Sequence, residues 1–136
     1  MSLKVPNSVE VAVLTTIMTP ALTLKLYSND KTPADSDTAA SYTEVTGGGY
    51  ASKPLTFANW GITSGSPSVA LYNTTQSWTF TGPTGGPGTI YGYFVTRNSD
   101  GALQWAERFP SAVVPFNPVN GSIIRVIPRF TAESQF

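Results

Sequence analysis

Apolar and polar residues alternate cleanly through ALTLKLYSND, with Leu22, Leu24 and Leu26 on one side and Thr23, Lys25 and Tyr27 on the other. A period of two is the signature of a half-buried β-strand. The period returns in shorter runs along the chain. Lys53 to Asn59 reads as a second strand behind the turn glycines of TGGGY, and Ser68 to Tyr72 and Ser77 to Thr81 read as two more, joined through NTTQ. The closing SIIRVIPRF reads as a final strand, with Ile123, Arg125, Ile127 and Arg129 recurring at alternate positions. Between these runs, NDKTPADSDTAASYTEV is a long polar connection with a helical turn expected near Thr38 to Tyr42. PTGGPG and PSAVVPFNPVNG are broken by glycine and proline and read as loop or edge.

One segment departs from the period of two. In KVPNSVEVAVLTTIMTP the sets Val9, Val13, Ile17 and Val11, Leu14, Met18 recur at helical spacing. Asn7 followed three residues later by Glu10 reads as a capping box, and Pro20 ends any helix by residue 19. The run is rich in β-branched residues, so a strand is the alternative reading.

The most legible stretch is GTIYGYFVTRNSDGALQWAERF. It reads as a hairpin turned at Ser99, Asp100 and Gly101, since Asp-Gly readily supplies positive φ. Strict alternation puts Tyr91, Tyr93 and Val95 on one face of its first strand, and Leu103, Trp105, Glu107 and Phe109 on one face of its second. Many short strands with a helix only at the start imply an all-β single domain, a β-sandwich or jelly-roll-like fold. The expected organisation is an amino-terminal arm or short helix over residues 1–20 and a β-sandwich domain over residues 21–136.

Composition narrows the function. Eight basic residues balance eight acidic ones, and charged residues make up 12% of the chain, about half the share usual in soluble domains. That balance argues against nucleic acid as a partner, which would call for a basic excess. A neutral, weakly charged surface favours association, so part of it is expected to be covered by other subunits. Without histidine the chain lacks the usual base of a serine triad, and without cysteine it lacks a thiolate nucleophile and thiolate metal ligands. No apolar run approaches the length of about 18 residues that a membrane span needs. No signal peptide is expected at the amino terminus.

The carboxylates offer the remaining chemistry. Asp30, Asp35, Asp37 and Glu44 fall in one 15-residue loop, half of the acidic residues in the chain. Hard cations favour clustered oxygens, but this spacing does not follow an EF-hand loop, and solvated loop carboxylates are the preferred reading. Asp100 with Glu107, or Asp35 with Asp37, would be the pairs to test for glycoside hydrolysis. A turn accounts for Asp100 and a cross-strand arginine for Glu107, so no enzyme, catalytic residue, metal or cofactor is expected. GPTGGPG lacks the lysine and following helix of a phosphate loop.

The aromatic residues Trp60, Tyr72, Trp78, Tyr91, Tyr93, Trp105 and Phe109 are left. Large rings fill a thin β core, and alternation directs about half of them inward. The tyrosines that remain outside are suited to an interface, where area and a polar handle combine. The candidate partner-facing residues are Val9, Val13 and Ile17 on the first segment, with Tyr72, Tyr91 and Tyr93.

The order of phrases LTLKLYSND, TPADSDTAASYTE, GGGYASKPLTFANW, TIYGYFVT, GALQWAERF and VIPRFT, from about Ala21 to Thr131, resembles a family of small virion structural proteins of tailed bacteriophages. The resemblance implies a capsid decoration (cement) protein on the phage head surface, with the major capsid protein as partner and a homo-oligomer, a trimer by preference. No functional residue carries over from it, and the first twenty residues lie outside the shared phrases. The competing reading is a receptor- or glycan-binding tip of a tail fibre or baseplate, which would expose Trp and Tyr faces.

Overall fold

A computed structural model describes residues 4–132, so the outermost parts of the two expected segments, residues 1–3 and 133–136, lie outside the described residues. The described residues are predominantly β, in antiparallel sheets with one α-helix among them. Helix α1 covers Asn7–Met18 and is followed by strands β1 Leu22–Tyr27, β2 Lys53–Leu55, β3 Trp60–Thr63, β4 Ser68–Tyr72 and β5 Gln76–Thr79. The remaining strands are β6 Gly92–Arg97, β7 Leu103–Arg108, β8 Ile123–Val126 and β9 Arg129–Ala132. They pair as a four-stranded sheet in the order β2-β1-β6-β7, a three-stranded sheet β3-β4-β9 and a ribbon β5-β8.

The first segment resolves in favour of the helix. Pro6 occupies the N-cap position and Asn7 is already helical, so the expected capping box does not form. Glu10 turns inward instead, where Ser68 on β4 donates a hydrogen bond to its carboxylate at 2.8 Å. Leu14 and Met18 are fully buried one and two turns on, against the sheet β3-β4-β9. The helical turn expected near Thr38 is a short 3₁₀ turn over Ala39–Ser41, in which Ser41 Oγ accepts the Thr38 N–H.

One apolar core joins all three sheets. Leu22, Leu24 and Leu26 of β1 meet Tyr93 and Val95 of β6, Trp60 of β3, Tyr72 of β4, Trp78 of β5, Ile124 of β8 and the helix. A smaller cluster of Tyr27, Tyr42 and Phe94 lies on the other face of the four-stranded sheet, with Tyr91, Leu103 and Ala106 against it.

The hairpin departs from strict alternation at two points. Val95 pairs with Trp105 but Thr96 pairs with Leu103, so Gln104 is an extra residue on β7. This bulge puts Leu103 and Trp105 on opposite faces, although alternation alone would place them together. At the other end, Tyr91 donates its N–H to Tyr27 and accepts one from Phe109, while Tyr93 enters the main core. Tyr91 belongs to the smaller cluster, so the two tyrosines do not share a face. Gly92 between them is required by proximity, because a Cβ there would lie 2.2 Å from the Glu107 carbonyl oxygen and 2.6 Å from the Tyr27 hydroxyl.

Candidate interaction surface

The residues singled out in the sequence separate into two groups. Val9 and Val13 stand on the outer face of α1, 47% and 48% exposed, and Ile17 beside them is half-buried. With Ala12 and Thr16 they line a shallow depression of about 270 Å³ on the outside of the helix. Apart from the buried Glu10, α1 carries no charged residue.

Tyr72 and Tyr93 do not belong to an outer surface. Both are 4% exposed and part of the main core. Tyr72 follows Ser68 and Ala70 along the inward row of β4, which fixes its direction. Its hydroxyl accepts hydrogen bonds from the Thr56 N–H at 3.0 Å and the Asn59 amide at 3.2 Å. Burial pushes this hydroxyl up, but the donors outweigh it and hold Tyr72 below the ordinary tyrosine value. At Tyr93 burial prevails instead, and with help from the negative charge of Glu107 it pushes the hydroxyl up to about 12. Tyr91 is half-buried beneath the Arg108 guanidinium, 5.1 Å from the ring centre. Trp60 and Trp78 are buried, and the Trp78 indole N–H donates to the Ala51 carbonyl at 2.7 Å.

The acidic loop is tied down by internal bonds. Arg108 reaches Asp30 at 2.7 Å, Lys31 reaches Asp37 at 2.8 Å, and the Tyr42 hydroxyl donates to Asp37 at 2.7 Å. Glu44 accepts from the Tyr50 hydroxyl at 2.7 Å. Three of the four carboxylates are thus engaged within the protein, and Asp35 alone has no such bond among the described residues. No three metal-ligating side chains converge among the described residues. Asp100 is held by Arg97 in the hairpin turn, apart from Glu107 at the far end of β7.

Hydrogen bonds from Lys31 and Tyr42 hold the Asp37 carboxyl at about 2, against an ordinary value of 3.8. A folded-state value below the unfolded one stabilises the fold at pH above about 4, and that stabilisation disappears as pH falls toward 2. Urea midpoints measured across this range should fall more steeply for the wild-type chain than for Asp37→Asn. Parallel profiles would show that the loop bonds do not contribute.

A second apolar surface was not singled out from the sequence. Along the last strands Ile123, Arg125, Ile127 and Arg129 all face outward, and Ile123 and Ile127 are 43% and 55% exposed. Beside them a groove of about 260 Å³ is lined by Phe109, Pro110, Val113, Phe116, Ile123, Ile124 and Arg125. The signal was present in the alternation of SIIRVIPRF, whose outward row sets isoleucines between its two arginines.

Comparison with known proteins leaves these surfaces as the guide to function: no family model, no curated protein and no solved structure matches the chain. Among the described residues no helix is long and apolar enough to cross a membrane.

Proposed function

We propose that this protein is a structural component of a tailed-phage virion, a capsid decoration protein that binds the head shell as a homo-oligomer and braces neighbouring copies of the major capsid protein. The observation that carries the reading is the pair of outward apolar surfaces, an uncharged one on α1 and one along Val113, Ile123 and Ile127 that Arg125 and Arg129 interrupt. A brace between subunits needs more than one contact surface, and apolar side chains held outward at two places meet that need. The sequence resemblance from Ala21 to Thr131 points the same way. A β-sandwich or jelly-roll arrangement, with two larger sheets enclosing a shared core, is the fold this role implies.

The glycan-binding alternative would use exposed aromatic faces. Burial of Trp60 and Trp78 and the Arg108 cover on Tyr91 weigh against it.

The test is a binding assay with expanded heads of the parent phage, using the wild-type chain and an Ile123→Asp/Ile127→Asp variant. Both positions are exposed, so the variant should keep its fold by circular dichroism. The wild-type chain should saturate the shell at a fixed number of copies per capsid and the variant should bind at least tenfold more weakly. Failure of the wild-type chain to bind heads, or its density at the tail tip in a cryo-EM map of the virion, would overturn the proposal.

A further inference from the structure

We propose that the free edge of β7 takes up an extended segment of a different protein as an added strand, with a lysine or arginine of that segment seated beside Asp35. The inference stands on the four-stranded sheet and is independent of the capsid reading.

Backbone bonding identifies the class of ligand. β7 ends the order β2-β1-β6-β7, so β6 is the one strand that pairs with it. Inward and outward backbone groups alternate along an antiparallel pair, and the Phe109 N–H donating to the Tyr91 carbonyl fixes their phase. Trp105 and Glu107 therefore turn their backbone groups toward Val95 and Tyr93 of β6. Ala106 and Arg108 turn theirs away from the sheet, where they meet no partner among the described residues. Donors and acceptors in a row at this spacing are complementary to another strand. The opposite edge is closed to such pairing, because β2 is three residues long and has Pro54, which lacks an N–H, at its centre. β7 has six residues and no proline, and the bulge at Gln104 leaves residues 105–108 as its regular part.

The cleft beside this edge identifies the side chain. It measures about 350 Å³, with Asp35, Asp37 and Tyr42 on the loop side and Leu103, Gln104 and Ala106 on the strand side. A residue of an added strand lying directly opposite Ala106 projects from the same face of the sheet as Ala106 does. That face carries Tyr42, so the incoming side chain enters the cleft, and the small Ala106 methyl leaves it room. Asp37 is already engaged by Lys31 and Tyr42. Asp35 is exposed and has no such bond among the described residues, so the cleft presents one uncompensated negative charge. A cationic side chain complements it and an anionic one is repelled.

Charge also decides against occupants from the chain itself. A second copy joining β7 to β7 about a two-fold axis normal to the sheet would set both loops on the same side of the seam. Their Asp35 carboxylates would then face each other without a counter-charge. The terminal segments 1–3 and 133–136 contain no lysine or arginine to place in the cleft.

The probe is the capped peptide Thr-Val-Thr-Lys-Thr-Val-Thr, with a twin that carries glutamate at the centre. Each would be titrated into nitrogen-15-labelled full-length protein, and the backbone amides followed by NMR. The lysine peptide should shift the Ala106 and Arg108 amides saturably. The glutamate twin should bind about fivefold more weakly, one partly exposed attraction being replaced by a repulsion of similar size. Asp35→Asn, at an exposed position, should bring the two affinities together. Ala106→Pro removes the outward N–H and leaves the bonds to β6 in place, so it should abolish binding of both peptides while circular dichroism stays unchanged. Should proline disturb the strand, Asp35→Asn still carries the test. No shift at Ala106 or Arg108 with millimolar peptide, or shifts confined to other residues, would overturn the proposal. Movement of the same amides on concentrating the protein alone would overturn it too, by giving the edge to a second copy. Equal affinity of the wild-type chain for the two peptides would overturn the seating of a cation beside Asp35.

Discussion

Gly92→Ala should cost about 3 kcal/mol or more of folding stability, the upper end of what overpacking a filled site produces. The added methyl would sit 2.2 Å from the carbonyl oxygen of Glu107 on β7 and 2.6 Å from the hydroxyl of Tyr27 on β1. The first of these neighbours is backbone and cannot rotate away. Gly92 pairs with Tyr27 on one side and Arg108 on the other, so moving β6 to relieve the clash breaks pairing with one strand or the other. Tyr27 is fully buried and its hydroxyl donates to the Lys31 carbonyl at 2.9 Å, so its displacement would also loosen the loop that Arg108 and Asp30 hold. Urea unfolding followed by tryptophan fluorescence would read the loss. A variant within 1 kcal/mol of wild type, by the same overpacking scale, would show that the strands can separate here at little cost.

Trp78→Ala should be comparably damaging, by about 3–5 kcal/mol, the usual range for removing a large buried ring. Trp78 is 3% exposed, and its ring lies parallel to that of Tyr50 with 6.3 Å between centroids. Its indole N–H meets the Ala51 carbonyl at 2.7 Å. The ring therefore ties the β5-β8 ribbon to the segment leading into β2 and closes one end of the core. Trp78→Phe separates the contributions: it keeps most of the apolar volume, so it should recover more than half of the loss and leave the cost of the unpaired Ala51 carbonyl. Unfolding midpoints of the two variants side by side make the comparison. Equal damage from both would place the stabilisation in the hydrogen bond instead of the packing.

These two positions mark how far the sequence alone could be read. The alternation of Leu22, Leu24 and Leu26 placed a strand within ALTLKLYSND, where β1 lies, and Asp100-Gly101 located the hairpin turn, because both signals are local. Strand β3 was missed because Trp60–Thr63 is short and contains Gly61, leaving too little period to detect. The bulge at Gln104 was invisible for a different reason: it is a property of the pairing between β6 and β7, and neither strand carries it alone. That pairing reversed the face expected for Leu103 relative to Trp105. The offering of Tyr72 and Tyr93 as surface residues failed likewise, since each is an inward position on a strand whose covering partner comes from far along the chain. Val9 and Val13 were legible because a helix face is set within four residues. The carboxylate loop showed the opposite limit: composition reported charge density, while the partners Lys31, Arg108, Tyr42 and Tyr50 that absorb it depend on the fold.

Strand β1 lies at the interior of its sheet, between β2 and β6, and helix α1 lies against β3, β4 and β9. During synthesis β1 leaves the ribosome long before Gly92–Arg97 exists to pair with it, and Leu14 and Met18 wait for Arg129–Ala132. The earliest residues of the fold thus obtain their seats from among the latest, which is the arrangement of a slow-folding, high-contact-order chain. Until that closure the nascent chain carries an uncovered leucine row and an uncovered helix face, so its yield in a cell should depend on chaperone occupancy during translation more than on the stability of the finished molecule.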